Sequence, residues 1–72
     1  MPRYFFHFAD DAEFHDTEGV ILNDVVTARS EAITTMGQML KDHGAHHGSA
    51  EWRMTVVDEA GDTVCQLRFS AE

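Results

Sequence analysis

Histidine is the side chain best suited to hold a divalent metal or to move a proton near neutral pH. Three of the chain's five histidines stand close together, at His43, His46 and His47. Ligands three or four residues apart can meet on one zinc ion, but a structural zinc site needs four ligands of defined geometry. Here the three lie on a glycine-rich stretch, and the lone thiol, Cys65, faces the core by strand parity. They are weak metal candidates, and the expectation is a polar loop and a protein without a cofactor. Nothing in the spacing draws His7 and His15 to a common point.

The carboxylates give a second cluster: Asp10, Asp11, Glu13, Asp16 and Glu18, then Asp24. A calcium loop would need an alternating ligand pattern that this spacing lacks. Acid–base work by paired carboxylates would need a pocket that pushes their pKa values apart. The cluster reads instead as solvated charge on turns, which also discourages edge-to-edge pairing of a second strand. No Ser-His-Asp or Cys-His arrangement is arguable, and a domain of this size has little room for a deep pocket. A non-enzymatic protein is expected.

A third set appears only once the elements are drawn. Arg3 to Ala9 is an aromatic-rich strand with Tyr4, Phe6 and Phe8 on one face and Arg3, Phe5 and His7 on the other. A second strand is expected from about Glu13 into Val20-Ile21-Leu22, interrupted near Thr17-Glu18-Gly19, where Gly19 marks a bulge or bend. Asn23 or Asp24 can cap a helix running to about Asp42 or His43. Its apolar positions, Val25, Val26, Ala28, Ala32, Ile33, Met36, Met39 and Leu40, recur at helical spacing as one stripe. Arg29 falls inside that stripe, with Asp16 or Glu18 as its expected partner. Gly44 is a natural stop. A third strand over about Glu51 to Asp58 turns through Gly61 into a fourth over about Thr63 to Phe69. Parity sends Cys65, Leu67 and Phe69 inward and Val64, Gln66 and Arg68 outward.

The expected fold is α+β, a ββαββ two-layer domain over residues 1–72. One four-stranded, mostly antiparallel sheet in the order 2-1-3-4 carries a single helix on one face. The outer face then collects Arg3, Phe5, His7, Arg53, Thr55 and Arg68 as partner-binding candidates. Arginine and aromatic groups among apolar positions suit a protein interface.

Composition narrows the classes further. A chain of 72 residues buries roughly 60 % of its unfolded surface, and a second subunit is one usual remedy. One cysteine permits no intrachain disulfide and points to a reducing compartment. No signal peptide and no apolar stretch of membrane-spanning length is evident, so a cytoplasmic protein without membrane contact is expected. Five Lys and Arg against thirteen Asp and Glu give a formal charge of −8, which opposes non-specific binding to nucleic acid.

Several stretches carry a family likeness: Met1-Pro2-Arg3-Tyr4-Phe5-Phe6-His7, Asp16-Thr17-Glu18-Gly19 with Leu22 and Asp24, and Ala28-Arg29-Ser30-Glu31-Ala32. Trp52 and Val57-Asp58-Glu59-Ala60-Gly61, with Val64, Leu67 and Phe69, continue it. The chain resembles a small family of domains of unknown function (family 6894) common in rhizobia and related alphaproteobacteria. The resemblance implies a small bacterial cytosolic protein and brings no catalytic or binding residues with it. The functional expectation is a protein-interaction module using the outer sheet face, with a protein or a second copy as partner. The alternative is a nucleic-acid-binding or antitoxin-like regulator, which rests on fold analogy alone.

Overall fold

The computed structural model describes residues 2–9, 13–43 and 51–70. Strand β1 (Arg3–Ala9) is the axis of the sheet. On one edge it pairs antiparallel with β4 (Glu51–Val57), Phe6 lying opposite Val56. On the other edge it meets two short strands, β2 (Glu13–Phe14) at Phe8 and Ala9 and β3 (Val20–Ile21) at Arg3 and Tyr4. The interruption expected near Thr17-Glu18-Gly19 divides the second strand into two, so the described residues form five strands where four were expected, with β5 (Thr63–Ser70) beyond β4. The α+β class and the order β2-β1-β4-β5 agree with the expectation.

The strand breaks in two because the chain between Phe14 and Val20 turns off the sheet edge around Asp16 and Gly19. Gly19 has φ of +73°, a left-handed conformation that costs residues with a Cβ. An added Cβ there would lie 2.9 Å from the Tyr4 carbonyl oxygen and 2.8 Å from Arg3 Cγ. The bend thus presses backbone against backbone, which only glycine permits.

Helix α1 (Val25–His43) starts at an Asp24 cap. Asp24 Oδ1 accepts hydrogen bonds from the Thr27 N–H and the Thr27 hydroxyl, both at 2.8 Å. Those bonds hold the Asp24 carboxyl below its usual range. The helix lies over β4 and β5, burying Ala28, Ala32 and Met36 against Tyr4, Phe8, Trp52, Met54 and Val56. Two alanines at the contact let the helix axis approach the sheet closely. Met54 and Val56, on central β4, are the largest fully buried side chains.

Three expectations about facing need correction. The apolar stripe is narrower than its spacing implies: Val25, Val26 and Ile33 are exposed, because the helix touches the sheet along the Ala28–Ala32–Met36 line. Arg29 is exposed too and makes no ion pair among the described residues. The Asp16 and Glu18 region is held by other groups. Val64, expected outward, packs on the core. Cys65 pairs with Val56 while Thr63 pairs with Val57, so Val64 is the extra residue of a bulge, and bulging breaks parity. Phe69 keeps its inward side and sets its ring 5.6 Å from that of Trp52, yet remains 42 % exposed at the sheet rim.

The β4–β5 turn is closed by Asp58, whose Oδ1 accepts the N–H of Ala60 and of Asp62 at 3.0 Å each. Gly61, at φ of +87°, supplies the left-handed position expected of it.

Candidate interaction surface

The sheet face away from α1 divides into two ends. At one end lie Arg3 and Phe5. The Arg3 guanidinium donates to the Glu18 carbonyl at 2.7 Å, and its backbone N–H donates to Glu59 Oε1 at 3.1 Å. Phe5 is half-buried under Gly19, its ring Cδ1 lying 3.0 Å from where a Cβ on that glycine would sit. Both residues lie on the expected face, and both are engaged in holding the Glu18–Gly19 bend.

At the other end the register builds two cross-strand rows. His7 lies opposite Thr55, and Thr55 opposite Gln66. In the next row Ala9 lies opposite Arg53, and Arg53 opposite Arg68. Two arginines directly opposite each other repel. Glu51 stands between them: its carboxylate meets Arg68 Nη2 at 3.5 Å and Arg53 Nε at 4.0 Å. All three side chains are about half exposed or more, so each ion pair is worth little by itself. Among the described residues these two rows set two guanidiniums against the Glu51 carboxylate, on a protein of formal charge −8.

Beside these rows β2 and the residues after it form one wall of a cleft of about 270 Å³. Its polar lining is His7, Glu13, His15, Arg53, Thr55 and Gln66. The His7 and His15 rings lie 5.1 Å apart, tilted by 57°. Sequence spacing carried no sign of this meeting, which arises because Phe14 pairs with Phe8 and brings the next residue back over His7. His7 Nδ1 accepts the Asp16 N–H at 3.1 Å, which assigns the neutral ring its proton on Nε2.

Asp16 is the strut of this wall rather than solvated charge. Its Oδ1 accepts the N–H of Glu18 and of Gly19 at 3.0 Å, and its Oδ2 accepts that of Phe6 at 3.2 Å. Desolvation pushes its carboxyl upward. The bonds from Gly19, Phe6 and Glu18, helped by the nearby His7, outweigh this and hold it below its ordinary value of 3.8.

Among the described residues no group of three or more His, Cys, Asp or Glu side chains could hold a metal ion. Of the weak metal candidates, His46 and His47 lie outside the described residues. His43 ends α1, and its side chain is likewise not described. Also among the described residues, no helix is long and apolar enough to cross a membrane.

Fold and surface together define a small α+β domain whose sheet carries its helix on one face and an arginine-bearing, clefted surface on the other. The chain belongs to the family described as domain of unknown function DUF6894, whose model matches residues 3–70. No curated protein and no solved structure matches it.

Proposed function

We propose that this domain is a non-enzymatic interaction module whose outer sheet face holds an acidic segment of a protein partner. The observation that carries the reading is the Arg53–Arg68 pair, set opposite each other with one shared carboxylate. An incoming Asp or Glu side chain would supply a second anion to this pair beside Glu51. Guanidiniums also recognise carboxylates in a directional, two-pronged manner that lysines do not. The adjoining cleft supports the reading. It offers the His7 Nε2–H, the Thr55 hydroxyl and the Gln66 amide as donors, with the Glu13 carboxylate set toward His15 at 3.6 Å. Cytoplasmic residence accords with the single cysteine.

The test has two stages. Nuclease-treated lysate is passed over the wild-type domain and over the Arg53→Glu/Arg68→Glu variant. A protein retained by the wild type and lost by the variant is then purified and titrated by calorimetry at rising salt. Affinity that falls with salt and with charge reversal supports the reading. A partner that binds both forms equally, or retention of RNA from untreated lysate in place of protein, overturns it.

A further inference from the structure

We infer that two copies of this chain join through β5, continuing one sheet across a two-fold axis. Strand β5 is the longest strand at eight residues. It ends the sheet order, and among the described residues no strand pairs with its outer edge. Edges of this length are usually blunted by proline, lysine or clustered charge. Between Thr63 and Ser70 there is no proline and one charge, Arg68.

The occupant is a second copy because the strand complements itself. In an antiparallel pair centred on Leu67, Leu67 meets its own equivalent on the helix side, and Cys65 meets Phe69 of the second copy. The half-exposed Phe69 ring at the sheet rim then gains a cover. On the opposite side Gln66 meets Arg68 of the second copy, so no arginine faces its equivalent. A centre at Arg68 would oppose two like charges and is disfavoured.

The helix layer points to the same edge. Val26 and Ile33 are 76 % and 53 % exposed and lie seven residues apart, on one flank of α1. Strands β3 and β4 both run antiparallel to β1, and α1 connects them. The right-handed crossover that such connections take turns the Val26–Ile33 flank toward β5, over which the helix already lies. Two copies joined at β5 would set these flanks against each other, adding an apolar helix contact to the strand ladder. A chain of this length gains by it, since it has little core of its own.

Sedimentation equilibrium of the wild type and three variants tests the arrangement. The wild type should approach twice the 8.1 kDa chain mass as concentration rises. Gln66→Arg sets like charges opposite twice across the axis and should weaken the dimer about tenfold, whereas Gln66→Glu should tighten it. Ile33→Asp, at an exposed position, should give a folded monomer, with folding checked by circular dichroism. A wild type that stays monomeric at its highest soluble concentration overturns the inference. So does a dimer on which the two Gln66 variants act alike. Arg53→Glu, which weakens the proposed acidic partner, should leave the mass unchanged, so the two readings fail separately.

Discussion

The Oδ2 of Asp16 accepts the backbone N–H of Phe6 at 3.2 Å, so a carboxylate takes the place of a neighbouring strand midway along β1. β2 ends at Phe14 and β3 begins at Val20, which leaves that amide without a ladder partner. The other carboxylate oxygen gathers the Glu18 and Gly19 amides, and one side chain closes the gap between the two short strands. Asp16→Ala strips the acceptor from all three donors and should cost about 1–3 kcal/mol in urea unfolding. Asp16→Asn, which keeps one carbonyl oxygen, should recover part of that loss.

The same carboxylate makes the fold acid-sensitive. Its folded pKa lies below the ordinary 3.8, so around that value the folded state binds fewer protons than the unfolded one. Its stabilisation is fully present above the unfolded value and is lost as pH falls from there through the lowered folded value. Thermal melts taken from neutral to strongly acid conditions should show a declining midpoint in that window. Asp16→Asn should start lower at neutral pH and decline less.

Two glycines should respond to alanine with opposite signs. Gly19→Ala meets a left-handed backbone and the Tyr4 carbonyl at 2.9 Å, so the loss should exceed the ~1–2 kcal/mol of the conformation alone. Gly37 lies within α1 with nothing within 4 Å of an added Cβ. Gly37→Ala should stabilise by up to about 1 kcal/mol. Paired denaturant titrations would read both.

Arg29 should be nearly silent. It is exposed on α1 and makes no ion pair among the described residues. Arg29→Met and Arg29→Ala should each stay within about 0.5 kcal/mol of wild type in the same titrations. A large loss in the alanine variant alone would restore the packing role that its place in the apolar stripe implied.

Much of the fold was legible because strand parity and helix capping are local. Tyr4 and Phe8, or Trp52, Met54 and Val56, alternate as a half-covered sheet requires, and each is buried. Asp24 stands where a cap belongs. The Val64 bulge was illegible because it depends on how β5 registers against β4, and no pattern within one strand encodes that register. The outer-face arginines were legible by the same parity. The engagement of Arg3 with Glu18 and the approach of His15 to His7 were not, since each joins residues from separate elements.

The sequence alone determined which side chains could share a face, because alternation and helical spacing follow from backbone geometry. It also set the charge and the left-handed glycine of the β4–β5 turn, and narrowed the cap to Asn23 or Asp24, of which the fold uses Asp24. Tertiary structure decided which of those faces are covered. The helix settles along its alanines over β4 and β5, which leaves Val26 and Ile33 in water and the arginine face open. Asp16 became a strut only when three amides from separate points of the chain converged on it. Burial and hydrogen-bond geometry depend on where other elements come to rest, and no residue carries that information by itself.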